Sequence, residues 1–247
     1  MPKTFCVVGT DARQRAAART LAQAGFRVLG AEGAGEADYI LLPMPLEEDA
    51  ASLARILRAA RPGTLALGGK ISAPVQEAAR TAGVELIDYF LRPELELLNA
   101  VPTAEGCVAL LMQLRDSTVW ESDFLILGYG RVGRAVACRL AALGGRVTVA
   151  VRSAGQRAAA RCAGHHAEPL DALPTLLPRE RLACLPADAL ILDLASRPGG
   201  TDFAAAKDFG LDARPALSLP ARCAPRTAGT LVAQTVLTIL RERSETP

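Results

Sequence analysis

The chain is poor in the residues that mark several functional classes. Aromatic residues make up 4% of its 247 residues, and its net charge is only +2 at pH 7. Nucleic-acid binding needs basic patches and aromatic stacking surfaces, so these values give no case for a nucleic-acid partner. The six cysteines are widely spaced without a Cys-x-x-Cys pair, and there are two histidines. We therefore expect no zinc site and six reduced, mostly buried thiols.

Two further absences concern the histidines and the membrane. His165 and His166 follow Ala163-Gly164 in a predicted loop without a nearby carboxylate or cysteine, so both are expected to be exposed. The N-terminal Met-Pro-Lys-Thr runs straight into a strand and lacks a signal-peptide pattern. No apolar stretch reaches the roughly 20 residues that span a bilayer. The expected location is the cytoplasm, with no membrane association.

A glycine-rich turn carries most of the functional information. An apolar strand over 124–127 runs into Gly128-Tyr129-Gly130-Arg131-Val132-Gly133, and a helix to about residue 143 and a strand over 147–151 are predicted to follow. This order is that of the dinucleotide-binding βαβ unit. Gly128 permits the sharp turn, Gly130 leaves room for a pyrophosphate, and Gly133 lets helix and strand pack closely. The first N–H groups of the helix then face the phosphates.

The end of the second strand favours NADP(H) over NAD(H). An NAD site usually ends this strand with Asp or Glu, which binds the ribose 2′-hydroxyl. Here the strand ends in Arg152-Ser153, and the sequence between Asp123 and Glu168 contains seven arginines and no carboxylate. A guanidinium can bind a 2′-phosphate with two hydrogen bonds, whereas a carboxylate repels it. The sequence therefore predicts an NADP site at residues 128–133, Arg152 and Ser153; the alternative is that Arg152 is a solvated loop charge.

Short apolar runs alternate with amphipathic helices, which indicates parallel sheets covered on both faces. The fold class expected is α/β, with two Rossmann-like doubly wound parallel-sheet domains joined by a long helix. Strands are predicted at 5–8, 27–29, 39–42, 64–67 and 85–87, and helices at 12–24, 47–60 and 74–82. The predicted domains are a flavodoxin-like substrate domain (1–100), a linker helix (101–119, beginning near Thr103), an NADP domain (120–226) and a C-terminal helix that packs back (227–247).

Three polar clusters lie at predicted strand ends or helix starts, where open α/β sheets bind ligands. They are residues 10–13 (TDAR), residues 99–106 (NAVPTAEG) and residues 193–202 (DLASRPGGTD). Helix starts offer N–H groups to an anion, and arginines grip carboxylates. The candidates are Thr10, Arg13, Asn99 and Arg197 for substrate, Glu105 and Thr103 for catalysis, and Ala195 for the cofactor.

Several of these residues have an explanation without function. Thr103 is placed to cap a helix, and Glu105 to be a first-turn acid favoured by the helix dipole. Asp193 is placed to cap a turn, and Asp202 to cap the helix that begins near residue 203. Lys70, which follows Gly68-Gly69 at another strand end, is more often a surface lysine than a base.

Several segments resemble the A subunit of dipicolinate synthase. They are residues 99–106 (NAVPTAEG), 127–153 (LGYGRVGRAVACRLAALGGRVTVAVRS), 190–203 (LILDLASRPGGTDF) and 219–229 (LPARCAPRTAG). The opening GTDAR (9–13) is similar to that family's GDAR turn. These motifs fall in the family's order and reach from one end of the chain to the other. DLASRPGGTDF is the most specific of them and GxGxxG the least.

The resemblance implies the NADP-dependent dehydrogenase half of a two-subunit enzyme, made in the mother cell of endospore-forming bacteria, with a flavoprotein-like B subunit. The implied substrate is a small dicarboxylate, the hydroxylated tetrahydrodipicolinate formed from aspartate semialdehyde and pyruvate. Loss of water and oxidation by NADP give dipicolinate. The hydride transfer creates an aromatic ring, so the protein mainly holds two carboxylates and orients one C–H bond. Thr10, Arg13, Thr103 and Arg197 would bind carboxylates, and Glu105 would transfer a proton.

The chain departs from the family pattern in three places. After Glu168 the family has a strand ending in an Asn-Thr-Ile-Pro-like turn, whereas 170–175 is short here, so one strand of the cofactor sheet is expected to be missing. The family's GLPG turn reads Ser218-Leu219-Pro220-Ala221, which alters a backbone near the nicotinamide. The first domain is also shortened between Leu29 and Tyr39.

Two other functions are compatible with the sequence. One is another two-domain NADP-dependent dehydrogenase, acting on a 2-hydroxy acid or a shikimate-like substrate. A 2-hydroxy acid dehydrogenase normally has a His–Glu pair near the end of the cofactor domain, and the positions of His165 and His166 disfavour this type. A dehydrogenase for a shikimate-like substrate would not account for the DLASRPGGTDF segment. The other function is a non-catalytic NADP(H)-binding partner subunit, which the shortened cofactor domain and the lost glycines favour.

Overall fold

The computed structural model describes residues 2–44, 50–171, 175–196 and 198–245. By their internal contacts the residues form two compact units. The first unit is Met1–Asn99 with Ala224–Pro247, and the second unit is Ala100–Cys223. Arg197, the start of the predicted helix 47–60 and residues 172–174 of the predicted short segment lie outside the described residues.

Strands and helices alternate along most of the chain, as the sequence predicts. In chain order they are β1 (Thr4–Val7), α1 (Ala12–Gln23), β2 (Arg27–Leu29), β3 (Tyr39–Leu41), α2 (Ala50–Ala59), β4 (Leu65–Gly68), α3 (Ala73–Thr81), β5 (Glu85–Asp88), α4 (Pro93–Leu114), β6 (Asp123–Leu127), α5 (Arg131–Ala142), β7 (Arg146–Val151), α6 (Ala154–Cys162), β8 (His166–Pro169), α7 (Arg179–Leu182), β9 (Leu190–Asp193), α8 (Phe203–Asp208), β10 (Asp212–Pro215), α9 (Leu219–Cys223) and α10 (Pro225–Glu245). A 3₁₀ turn over Ala31–Glu36 fills the shortened connection between β2 and β3, and another follows β5.

The first unit is built on a parallel sheet of five strands in the order β2-β1-β3-β4-β5. Alternate residues of a strand face opposite sides, so both faces of β1 are buried in separate clusters. Phe5 packs in a cluster with Leu21 of α1 and Val236 of α10. Cys6 packs in a second cluster with Leu53 of α2. Helices thus cover both faces, and the predicted α/β class with parallel sheets is confirmed.

The strands of the second unit form two separate pieces. One piece has the order β6-β7-β8, the other pairs β9 with β10, and all these pairs are parallel. Among the described residues no strand joins β6 to β9, and residues 172–174 of the short segment over 170–175 are not described. Leu125 in the middle of β6 is 55% exposed, although a strand inside a complete parallel sheet is normally covered on both faces.

Helix α4 begins ten residues before the predicted start at Thr103. Pro93 occupies the first position, where a missing N–H costs nothing, and Glu94 and Glu96 in the first turn complement the helix dipole. Pro102 lies inside the helix and deprives only the carbonyl of Leu98 of its partner. The predicted start near Thr103 is therefore wrong, because proline weakens a helix without always ending it.

Two further expectations are also wrong. By length and composition α4 reaches the size of a membrane span, with a mean hydropathy of 1.3; one such helix is weak evidence, since core helices of soluble proteins look the same. Only Cys6 and Cys107 are buried, and the other four thiols are exposed. Residues 214–226, which include three prolines, form the end of β10, all of α9 and the start of α10.

Candidate functional site

The glycines of the βαβ turn have the geometry that the motif requires. Gly128 has a φ of +101°, a left-handed conformation that glycine adopts without strain. A Cβ on Gly130 would meet nothing within 4 Å, so the space beside this backbone is open. A Cβ on Gly133 would overlap the carbonyl oxygen of Gly128. Gly130 caps α5 without a side-chain hydrogen bond. The backbone N–H groups in the first turn of α5 are therefore suited to bind an anion.

The side chain of Tyr129 packs into the core of the second unit. It is 4% exposed. Its ring lies edge-on to the ring of His165 at 6.0 Å, and the guanidinium of Arg134 stacks on it at 5.2 Å. Arg134 also donates from Nε to the carbonyl oxygen of Tyr129 at 3.2 Å. Tyr129 therefore contributes its backbone to the turn, and its side chain holds the turn against the core.

Both histidines were expected to be exposed in a loop, and only His166 is exposed, at 67% of its side chain. His165 is 8% exposed, because its N–H donates to Ala160 at the end of α6 and its ring packs on Tyr129. His166 begins β8, and its Nε2 lies 2.7 Å from a carboxylate oxygen of Glu168. Residues two apart on a strand share a face. Glu168 was therefore a nearby carboxylate that the sequence interpretation overlooked.

Two arginines meet at the end of β7. Arg152 is exposed, and no described carboxylate pairs with it. Arg157 folds back so that its Nη1 donates to the carbonyl oxygens of Arg152 at 3.3 Å and Val151 at 3.5 Å. Ser153 caps α6, its Oγ accepting from the N–H of Gln156 at 3.4 Å. Arg157 was missed because it lies on the following helix, where only the fold brings it back to the strand end.

The DLASRPGGTDF segment is a loop organised by its first aspartate. The carboxylate of Asp193 accepts hydrogen bonds from the N–H of Ala195 at 2.9 Å and of Gly200 at 2.7 Å, which closes the loop at both ends. Gly199 has a φ of +96°. Asp202 caps α8 by accepting from the N–H of Ala205 at 2.9 Å. The two capping roles considered for these aspartates are thus observed, and Ala195 lies in this loop.

The candidates on α4 do not stand at a helix start. Asn99, Thr103 and Glu105 lie inside α4, where backbone N–H groups serve the helix itself, so the anion site expected there is absent. Asn99 and Thr103 are four residues apart and share one face. Glu105 is 59% exposed, and its carboxylate accepts from Nη2 of Arg139 on α5 at 3.0 Å. These residues therefore have helical and ion-pair roles beside the proposed ones.

The turn before α9 keeps a glycine-like backbone without glycine. Ser218, which stands where the family has the first glycine of its GLPG turn, has a φ of +56°. Close packing explains why this path is kept. A Cβ on Gly106 of α4 would lie 3.0 Å from Cβ of Leu219 and 3.1 Å from Sγ of Cys223. Helices α4 and α9 therefore approach closely, and Ser218 follows the path that this packing imposes.

Thr10 and Arg13 lie near the carboxyl end of β1, Thr10 in the turn before α1 and Arg13 in the first turn of α1. Asp11 caps α1 by accepting from the N–H groups of Arg13 at 2.7 Å and Gln14 at 3.0 Å. Arg13 is only 7% exposed, and its guanidinium donates to no described group. Burial raises the pKa of Tyr89, and the nearby charge of Arg13 opposes that rise. The carboxyl edge of the first sheet therefore holds a largely buried arginine whose guanidinium has no anionic partner among the described residues.

Helix α10 fixes the position of Arg13. A Cβ on Gly229 would overlap the carbonyl oxygen of Arg13 and would lie 2.8 Å from Cβ of Ala16. Thr20 and Thr230 approach through their hydroxyls at 3.4 Å. Only glycine permits this approach, so the RTAG segment of α10 holds the first turn of α1 from behind.

Comparison with known proteins identifies the family. No family model matches the chain. The A subunit of dipicolinate synthase from Bacillus subtilis (strain 168) is 34% identical over 189 residues, which are 70% of this chain and 64% of that protein. The match thus spans less than two thirds of the relative's length.

Solved structures extend the similarity over nearly the whole chain. The A subunit of dipicolinate synthase from Bacillus halodurans has a TM-score of 0.85 at 25% identity, covering 96% of this chain and 97% of that one. The corresponding dipicolinate synthase structure from Bacillus subtilis has a TM-score of 0.83 at 27% identity, covering 100% and 98%. D-lactate dehydrogenase from Escherichia coli, with a TM-score of 0.71 at 13% identity and 98% coverage of both chains, shares the fold alone.

The order of the motifs, the identity and the fold lead to one conclusion: the chain belongs to the family of the dipicolinate synthase A subunit.

Proposed function

We propose that the chain is the dehydrogenase subunit of a dipicolinate synthase. Dehydrated 4-hydroxy-tetrahydrodipicolinate loses a hydride to NADP⁺ and a proton to solvent, and dipicolinate is the product. The observation that carries the proposal is the βαβ turn of the second unit. Its glycines have the required geometry, and Arg152 follows the second strand. When bound, NADP⁺ supplies the hydride acceptor.

The second unit has the groups to hold NADP(H). The backbone of residues 128–133, including Arg131 and Val132, and the first turn of α5 suit the pyrophosphate. Arg152 and Arg157 at the end of β7 suit a 2′-phosphate, since two guanidinium groups give charge-assisted hydrogen bonds to its oxygens. Ser153 and Ala195 complete the proposed set. The arginine pair is the reason to prefer NADP over NAD.

The first unit has the group to hold a carboxylate. A guanidinium that is removed from water without a partner costs free energy, and a bound anion restores the lost interactions. Arg13 comes close to this condition, because it is 7% exposed and donates to no described group, although its side-chain nitrogens keep some access to water. A carboxylate accepts two parallel hydrogen bonds from a guanidinium. Thr10 is the proposed neighbour at this turn, and Asn99, Thr103 and Arg197 remain proposed substrate contacts.

Proton removal asks little of the protein, because forming an aromatic ring drives the oxidation. Glu105 is the proposed proton acceptor, and its exposed carboxylate has direct access to water. Its ion pair with Arg139 gives a test. If Glu105 accepts the proton, Glu105→Gln should lower kcat, whereas Arg139→Gln, which removes only the ion-pair partner, should retain most of it. Equal losses of kcat in both variants would assign the pair a structural role only.

The proposed partner is the B subunit, a flavoprotein-like chain, because the name of the curated relative implies a second subunit. The proposed setting is the cytoplasm of the mother cell of a sporulating bacterium. Co-purification of the two chains, and turnover that rises when the B subunit is added, would support this assignment. Full turnover without the B subunit would contradict a required partner.

The test of the reaction uses purified protein with and without the B subunit. The substrate is generated in place from pyruvate and aspartate semialdehyde by the upstream synthase. NADPH is followed by its absorbance and dipicolinate by terbium luminescence. We expect dipicolinate with NADP⁺ and much less with NAD⁺. Dipicolinate formed equally well with both cofactors would refute the NADP preference.

Variants at the two ends of β7 test the cofactor preference. Arg152→Ala should weaken NADP⁺ binding by about tenfold or more and leave NAD⁺ binding unchanged, since only the 2′-phosphate contact is lost. Arg146→Ala is the matched control, because Arg146 begins the same strand and pairs with Asp123 at 2.7 Å. An equal effect of the two substitutions would show that general charge, and no local contact, sets the preference.

A second function is favoured by one observation. The sheet of the second unit is interrupted between β6 and β9 within the described residues, beside the expected nicotinamide end of the site. Such a chain is a candidate for a non-catalytic NADP(H)-binding partner. Tight NADPH binding without dipicolinate formation, even with the B subunit present, would favour this function over the first.

A further inference from the structure

Lys70 has an unusual backbone conformation at the carboxyl edge of the first sheet. It follows β4 with a φ of +56°, which residues other than glycine rarely adopt. The carboxylate of Asp88 holds this turn by accepting from the N–H groups of Lys70 at 3.2 Å and Ile71 at 3.0 Å. A Cβ on Gly69 would lie 2.6 Å from the ring of Tyr89. Neighbours on both sides therefore fix the direction in which Lys70 leaves the strand.

The ammonium group of Lys70 has no anionic partner among the described residues. Its Nζ lies over the ring of Phe90, 5.0 Å from the centroid, and the side chain is exposed. Asp88, the nearest carboxylate in this turn, also accepts from the N–H of Phe90 at 2.8 Å, so backbone donors occupy it. The chain has only three lysines. Of the others, Lys3 donates to the hydroxyl of Tyr39, and Lys207 lies on α8.

Lys70 and Arg13 stand on the same edge of the sheet. The sheet order places β3 between β1 and β4, so the ends of these two strands are about 10 Å apart. Tyr89 links the two places, because its ring packs on Gly69 while the charge of Arg13 acts on its phenol. In the described part of this edge, Arg13 and Lys70 have no carboxylate partner. The carboxylates of Asp11 and Asp88 accept hydrogen bonds from backbone N–H groups instead.

We propose that Lys70 is a further substrate-binding residue, which pairs with the second carboxylate of a dicarboxylate whose first carboxylate is bound by Arg13. This inference rests on the proposed function of the first unit and adds selectivity for two carboxylates over one. Arg13 is buried and rigid and suits the two-pronged contact. Lys70 has a compact charge on a flexible stem and can close on a ligand already held. Asp88 and Gly69 are positioning residues for it.

Calorimetric titration with two probes tests the assignment without cofactor or turnover. Dipicolinate has two carboxylates, and picolinate (pyridine-2-carboxylate) has one. We expect Lys70→Gln to weaken dipicolinate binding by about tenfold and picolinate binding by less than about twofold, since one charge-assisted contact is lost. Lys70→Arg should retain most of the dipicolinate affinity. Lys207→Gln, the same change on α8, should bind both probes as the unchanged protein does.

Lys70→Gly separates binding from folding. Glycine relieves the left-handed backbone, so this variant should melt at a higher temperature and still bind dipicolinate as weakly as Lys70→Gln. Unchanged dipicolinate binding in Lys70→Gln, or equal losses for both probes, would overturn the proposal. If dipicolinate binding depends on Lys70 but the chain has no NADP-dependent turnover, the role of Lys70 is supported and the dehydrogenase proposal fails. If the chain turns over with NADP⁺ and Lys70→Gln leaves KM unchanged, the dehydrogenase proposal is supported and the role of Lys70 is overturned.

Discussion

Replacement of Gly133 by alanine is the sharpest test of the cofactor site. The new Cβ would overlap the carbonyl oxygen of Gly128 and lie 3.1 Å from its carbonyl carbon, whereas carbon atoms in contact normally lie about 3.5–4.0 Å apart. The turn or α5 must therefore move by roughly half an ångström or more. Gly133 lies inside α5, where alanine is otherwise the better helix former. Any loss of stability therefore arises from the steric conflict.

The magnitude follows from two opposing terms. Overpacking of this kind costs about 1–3 kcal/mol, while the change from glycine to alanine within a helix returns up to about 1 kcal/mol. We expect the free energy of unfolding to fall by about 1–2 kcal/mol. The shift also separates the Gly128–Gly130 backbone from the first turn of α5, and both are proposed to contact the pyrophosphate. NADP⁺ affinity should therefore fall by about tenfold or more, equivalent to about 1.4 kcal/mol.

Thermal unfolding and calorimetric titration with NADP⁺ measure both effects. Gly155→Ala is the matched control, because Gly155 lies in the first turn of α6 and its Cβ would have only Ser153 Oγ nearby, at 3.7 Å. This control should melt at or above the temperature of the unchanged protein and bind NADP⁺ normally. A Gly133→Ala protein that binds NADP⁺ within about twofold of normal would refute the reasoning about the turn.

Three other predictions concern packing and protonation. Ser218→Gly should raise the free energy of unfolding by about 1 kcal/mol in denaturant titrations, because it relieves a left-handed backbone, and Ser218→Ala should not. Gly229→Ala should lower it by about 1–3 kcal/mol, since its Cβ would lie 2.8 Å from that of Ala16; an unchanged melting temperature would contradict this packing. Burial raises the pKa of Cys6 and Cys107 from 9.0 to about 11, so a thiol reagent at pH 8 should modify four cysteines in the native chain and six after unfolding. The folded chain holds the protons of these two thiols more tightly than the unfolded chain does. The stability that the protonated thiols contribute is therefore complete below pH 9 and is lost as the pH rises through about 11. Unfolding titrations at pH 8 and pH 11 would detect this loss.

The short-range signals of the βαβ turn and of the first sheet were interpreted correctly. The βαβ turn depends on glycines within six residues, and the positive φ of Gly128 and the close packing of Gly133 follow from that spacing. The strands of the first unit were predicted to within about one residue at most ends, because each is a short apolar run between polar helices. The loss of a strand between β6 and β9 stays a prediction, because residues 172–174 of the short segment over 170–175 are not described.

Boundaries and partners could not be inferred in this way. The start of α4 was misplaced because Pro102 is a strong local signal against a helix, and the surrounding packing outweighs it. His165 was expected to be exposed, but Tyr129, which lies 36 positions earlier, covers it. The pairing of Glu105 with Arg139 gives a candidate catalytic group a structural partner on another helix.

The sequence by itself determined the α/β class, the cofactor turn and the family, because each depends on residue types at fixed short spacings. Only the tertiary structure decided which charged groups lack partners. Asp11 and Asp88 accept from the backbone, whereas Arg13 is buried beside Tyr89 without an anion. Lys70, 57 positions beyond Arg13 in sequence, reaches the same edge because parallel strands end together. Contacts between residues so far apart depend on the register of a whole sheet, which no short stretch of sequence specifies.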